Sequence, residues 1–131
     1  MLHHLDTPKA LPALLQKLRP GGVFAFSEPN LLNPINKYLA FSSDPARRKR
    51  WGTSPGEMAF RPQELFSEMQ HAGFEILALN HRDFLHPSTP PALIPIVRGI
   101  QMVVEGMPVV KKMSGSLWIS GRRPGACAPA P

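Results

Sequence analysis

Leu18-Arg19-Pro20-Gly21-Gly22-Val23-Phe24-Ala25-Phe26-Ser27-Glu28-Pro29-Asn30 reads as a helix end, a tight turn, a buried strand and a polar rim. Pro20 cannot continue a helix, and the glycines after it allow the chain to turn. Val23 to Phe26 is an unbroken apolar run, which predicts a strand covered on both faces, as in a parallel sheet flanked by helices. Ser27, Glu28 and Asn30 then fall where that strand leaves the sheet. Open α/β sheets bind ligands outside the carboxyl ends of their strands, so this rim is the first candidate for a functional site.

Upstream, Leu2-His3-His4-Leu5-Asp6 is apolar at once and reads as the end of another strand. Thr7 and Pro8 start a helix carrying Leu11, Leu14, Leu15 and Leu18, with Pro12 weakening its first turns. Downstream, Asn33-Pro34 opens a short helix with Ile35, Tyr38 and Leu39, and Asp44-Pro45 opens a second; together they form a lid-like excursion. Pro62 begins a helix with Leu65, Phe66 and Met69 on one face, stopped by Gly73. Phe74 to Leu79 is expected as the second strand and Gly115 to Arg122 as the third. Between them a helix from Thr89 to about Glu105 is followed in phase by Met107, giving a stripe of Leu93, Ile96, Ile100, Val103 and Met107. Packing on the chain's own sheet is the preferred reading of that stripe, with a membrane surface or a partner helix as the alternative.

A chain of 131 residues, 43% of them hydrophobic, is about one domain with a modest core. Its 16 prolines and 10 glycines are spread as punctuation and predict short elements. The single cysteine, Cys127, excludes an intrachain disulfide and makes a reducing cytoplasm the default location. There is no charged leader with an apolar core, and no run approaches the roughly 18 to 20 apolar residues of a membrane span. The formal charge of +6 is scattered. Its densest cluster, Arg47-Arg48-Lys49-Arg50 beside Trp51, suits single-stranded nucleic acid in a minor reading and a solvated helix with an inward Trp in the preferred one.

Three strands with several helices make an incomplete α/β layer, so the expectation is that half a domain is missing. Leu2-His3-His4-Leu5-Asp6, the Leu18-Arg19-Pro20-Gly21-Gly22 turn and the strand leading to Glu28-Pro29-Asn30 together resemble the second half of a class I S-adenosylmethionine-dependent methyltransferase. Phe60-Arg61-Pro62 with Glu64-Leu65, Ala72-Gly73-Phe74-Glu75 and Gly115-Ser116-Leu117-Trp118-Ile119-Ser120 agree with it. The resemblance implies a partial Rossmann-like α/β sheet with flanking helices, strands five to seven of a seven-stranded fold, with the last strand antiparallel between the other two and the first half absent. Residues 1–124 would be the methyltransferase-like part and 125–131 a flexible tail. The family's glycine-rich loop and ribose-holding acidic residue are not in this sequence, so the cofactor-binding residues are unknown and S-adenosylmethionine is expected to bind weakly or not at all. Arg61 stands where relatives often place a capping serine or threonine, which predicts a loose helix start.

Methyl transfer from a sulfonium is an in-line displacement in which the protein aligns the acceptor and removes its proton where needed. By resemblance, His3 and His4 fall at the end of strand four as candidate catalytic bases. Glu28 and Asn30, at the end of strand five, are the candidate substrate-binding residues. A packed histidine and a turn-capping Glu28 are the structural alternatives. A metal site is not expected, because adjacent histidines at a strand end point to opposite sides. His81, Asp83 and His86 read as polar residues at a strand exit, and His71 as a helix-end cation. The first functional reading is therefore a methyltransferase fragment, inactive alone, acting on a small-molecule or lipid-linked acceptor; the apolar stretch from Phe84 to Val110 would suit the latter. The alternative is a non-catalytic, oligomerising interaction module whose exposed sheet edge and apolar helix pair with itself or with another chain; a second copy or a missing N-terminal half is the expected partner. Nucleic acid is not the expected partner.

Overall fold

The computed structural model describes residues 2–83, 90–104 and 106–125. After a 3-10 turn at Leu2–His4 come α1 (Thr7–Lys17), β1 (Val23–Pro29), a π-helical segment at Asn36–Ala40, α2 (Pro45–Arg50), α3 (Pro62–His71) and β2 (Glu75–Arg82). A second 3-10 turn at Pro91–Leu93 leads into α4 (Ile94–Val104), then α5 (Pro108–Lys111) and β3 (Ser116–Arg122). The expected tail and His86 lie outside the described residues, except that Gly125 is described.

The sheet has the order β1-β3-β2, and β3 is antiparallel to both neighbours. The last strand thus sits between the other two, as the resemblance implies, and the architecture is mixed α/β with a small antiparallel sheet. Ile76, Gly121 and Phe24 form one cross-strand row; Leu79, Ile119 and Phe26 form the next; His81, Leu117 and Glu28 form the last. Gly121 is required in the first row: a Cβ there would lie 2.7 Å from the Phe24 ring and overlap the carbonyl oxygen of Glu75. The Phe24 ring also meets Phe74 edge-on, with centroids 5.0 Å apart.

One face of this sheet carries the core. Leu11 of α1 and Leu65 and Met69 of α3 pack with Leu2, Phe24, Phe60, Phe74, Leu117 and Ile119. Pro62 starts α3 without help from the Arg61 side chain, which makes no capping bond, and Gly73 ends it at a φ of 96°.

Three expectations are corrected. β1 is not covered on both faces: Phe24 and Glu28 are buried, whereas Val23, Ala25 and Ser27 on the other face are exposed. α1 and α3 share the core side, and an antiparallel sheet tolerates one solvated face. The 93–107 stripe does not pack on the sheet either, because Leu93, Ile96, Ile100, Val103 and Met107 are 47–69% exposed and the core side is already filled by α1 and α3. Finally, Leu2-His3-His4 is a 3-10 turn, not a strand end, closed by the Leu5 amide donating to the Leu2 carbonyl at 2.8 Å. Leu2 is drawn fully into the core, and its amide bonds to a carboxylate of β1.

Candidate functional site

β1 is apolar until Ser27, and the last core-facing row of the sheet places its Glu28 on the core side, only 1% exposed. A buried carboxylate is costly unless hydrogen bonds satisfy it. Here the Leu2 amide donates to Oε1 at 2.7 Å, the His3 amide approaches Oε2 at 3.2 Å, and His3 Nδ1 lies 2.7 Å from the same oxygen. Burial pushes the Glu28 carboxyl up, but the bonds from the His3 ring and the turn's amides outweigh it and hold the pKa below the usual carboxylate value. Glu28 therefore fixes the turn and orients the His3 imidazole.

His4 follows on the same turn. Its ring centroid is 4.0 Å from that of His3, and Nδ1 lies 3.6 Å from Glu57 Oε1. Glu57 arrives from the loop after α2: the Met58 amide donates to the His3 carbonyl at 2.9 Å, and Arg48 donates to the Glu57 carbonyl at 2.6 Å. Burial raises the Glu57 carboxyl, and the Ser54 amide and hydroxyl with the nearby His4 and His3 bring it below its ordinary value.

A cleft of about 400 Å³ opens over these groups, lined by His3, Glu28, Asn33, Trp51, Glu57 and Asp83 among others. Its roof is the lid-like excursion anticipated from Asn33-Pro34 and Asp44-Pro45. Asp44 caps α2 by accepting from the Ala46 amide at 2.9 Å, and the half-buried Trp51 turns toward the cleft. Arg48, in the basic cluster, donates to the carbonyls of Ser54 and Glu57, so it braces the loop that carries Glu57.

Asn30 is placed differently from the other candidates. It is fully buried, its amide nitrogen donates to the Lys112 and Ser114 carbonyls at 2.9 and 2.7 Å, and its Oδ1 accepts from the Leu32 amide at 3.0 Å. Asn33 and Asn36 extend this clamp to the carbonyls of Met113 and Gly115. The asparagine spacing at 30, 33 and 36 was the available signal for it. Asp83, at a φ of 62°, accepts from the Trp118 indole at 3.1 Å, and its carbonyl accepts from Gly115, where a Cβ would lie 2.8 Å from that oxygen. His81 is depressed by burial and by Lys111 and Lys112, and its Nε2 has no partner among the described residues.

The side-chain argument against a metal does not hold on a 3-10 turn: His3, His4 and Glu57 each bring a ligating atom within 4.8 Å of the others. A cofactor cradle is a different matter. Gly21-Gly22 precedes β1, at the end of the strand remote from the cleft, and is tied to Arg123 by hydrogen bonds in both directions. Gly21-Gly22 thus does not form a cradle for S-adenosylmethionine.

No protein-family model matches the sequence, and no curated protein matches it. Among solved structures, the chain resembles the [4+2]-cyclase SpnF, with a TM-score of 0.51 and 16% identity. The alignment covers 91% of this chain and 44% of the cyclase, so the chain spans less than half of that protein. The likeness is one of fold. No helix among the described residues is long and apolar enough to cross a membrane.

Proposed function

We propose that this chain is the acceptor-side half of an S-adenosylmethionine-dependent methyltransferase domain, its sheet corresponding to strands five to seven of that fold. The observation that carries the reading is the His3–Glu28 pair, 2.7 Å apart at the floor of the cleft beside the carboxyl end of β1. His3 is the base. With Nδ1 held by a buried carboxylate, the imidazole is fixed in orientation and its developing positive charge is stabilised as it takes a proton from the acceptor. Glu28 is a positioning residue, His4 sits at the more exposed rim, and Asn30 shapes the wall through its backbone clamp. The methyl donor is held by residues outside this sequence. The acceptor is a small molecule with an ionisable hydroxyl or similar group, and the exposed apolar residues of α4 favour one with an apolar or lipid portion.

The test is transfer of a labelled methyl group by the protein expressed from its native locus, offered small hydroxylated acceptors. His3→Asn should lower turnover by about 10²–10⁴-fold without loss of fold. Turnover that survives both His3→Asn and Glu28→Gln would remove the base from His3. Absence of transfer alongside a defined oligomer would favour the second reading, an interaction module, to which the same exposed α4 stripe points.

A further inference from the structure

Two imidazoles and a carboxylate converge beside the cleft, and their placement owes nothing to the strand geometry expected of them. The 3-10 turn puts consecutive histidines on one side, with their rings 4.0 Å apart and tilted by 44°. The loop after α2 is fastened to that turn by the Met58 amide on the His3 carbonyl, which fixes the approach of Glu57. Glu57 is itself held: Oε1 accepts from the Ser54 amide at 3.2 Å, and its carbonyl accepts from Arg48. Behind His3 stands Glu28, 2.7 Å from Nδ1. A carboxylate on the far ring nitrogen is the outer-shell arrangement that orients metal-ligating histidines and raises their basicity.

We propose that His3, His4 and Glu57 form a binding site for one divalent transition-metal ion of the Zn²⁺ class, with Glu28 as outer-shell partner of His3. Imidazole and carboxylate donors suit such an ion better than Mg²⁺ or Ca²⁺, which take oxygen ligands. The His4 Nδ1–Glu57 Oε1 separation of 3.6 Å is near the spacing of about 3.3–3.5 Å that two ligands about 2.0–2.1 Å from a tetrahedral ion require. The 4.8 Å limit on the whole set leaves about 1 Å of closure to side-chain rotation, which the half-exposed His4 permits. Coordination of His3 through Nε2 would keep its contact with Glu28, and it would exclude His3 as the proton-accepting base while the ion is bound. Three protein ligands leave a fourth position for an acceptor oxygen or water, and two of the three, His3 and Glu57, line the cleft. The site stands on its own geometry and does not depend on the methyltransferase reading.

Tag-free protein titrated with Zn²⁺ by calorimetry should bind one ion, with Co²⁺ giving the visible spectrum of a four-coordinate nitrogen and oxygen site. His4→Ala and Glu57→Ala should each weaken Zn²⁺ binding by at least tenfold. Glu28→Gln should weaken it by about 10–100-fold. Binding should also fall as the medium is acidified, because protons compete for the imidazoles. His4 is exposed enough that its replacement leaves the fold intact, and unchanged circular dichroism of the His4→Ala protein verifies this. Failure to bind Zn²⁺ at millimolar concentration overturns the proposal, as does binding that the combined His4→Ala and Glu57→Ala substitutions leave unchanged.

Discussion

Glu28 carries more of this molecule than its position in an apolar strand suggests. It is a buried anion whose compensation comes from the Leu2 and His3 amides and the His3 ring, so it joins the N-terminal turn to the sheet. Glu28→Gln removes the charge from these bonds and should lower the unfolding free energy by about 1–3 kcal/mol, measured by urea denaturation near neutral pH. The pH dependence has a definite sign. The folded Glu28 pKa lies below the unfolded value of about 4.3, so its contribution is fully present above that value. It is lost as pH falls from there through the folded pKa. The wild-type and Glu28→Gln stabilities should therefore converge in acid; a constant difference down to the lowest accessible pH would show that Glu28 acts by packing alone. The sequence made Glu28, His3 and His4 candidates through their types and places at presumed strand ends. It did not reveal that His3 and His4 share a side, because that depends on a turn whose amides are captured by Glu28.

Elements followed their punctuation closely. Asp44-Pro45 caps and starts α2, Pro62 starts α3, and Gly73 ends it. β1 and β2 run further than their apolar cores indicated, to Pro29 and Arg82, because pairing with β3 continues through polar residues. Periodicity sees side chains, whereas strand length is decided by backbone partners. The same pairing makes Gly121 indispensable, since the Phe24 ring and the Glu75 carbonyl occupy the space above its Cα. Gly121→Ala should cost about 1–3 kcal/mol or more, or yield insoluble protein. A midpoint of thermal unfolding equal to wild type would mean that the sheet shifts to accept the methyl group. Glu57 was not legible at this scale, because a glutamate in a polar loop carries no periodic signal and long-range contacts such as the Met58–His3 bond bring it to the histidines.

At the scale of the whole molecule, burial is one-sided. The core face of the sheet is filled from α1 and α3, while Val23, Leu77 and Trp118 are more than half exposed, as are Ile96, Ile100 and Val103 around α4. Unpartnered apolar surface of this kind lowers its free energy by association, at roughly 25 cal/mol per Å² removed from water. The chain should accordingly self-associate with rising concentration in sedimentation velocity. A double Ile100→Glu, Val103→Glu variant should shift it toward the monomer without changing its unfolding midpoint. A wild-type chain that stays monomeric at high concentration would contradict this expectation.

The amino-acid sequence by itself determined the three strands, the helix between the first turn and β1, and the starts of α2 and α3 with the end of α3, because prolines, glycines and capping residues act over a few neighbouring residues. A sheet with its last strand in the middle was also anticipated, through the resemblance its motifs carry. Only the tertiary structure decided which face of that sheet is covered, that the N-terminal residues coil into a turn, and that His3, Glu28 and Glu57 meet at one cleft with His4 beside them. These outcomes depend on hydrogen bonds and packing between residues far apart in the chain, such as the Leu2 amide on Glu28, and local periodicity holds no record of such partners.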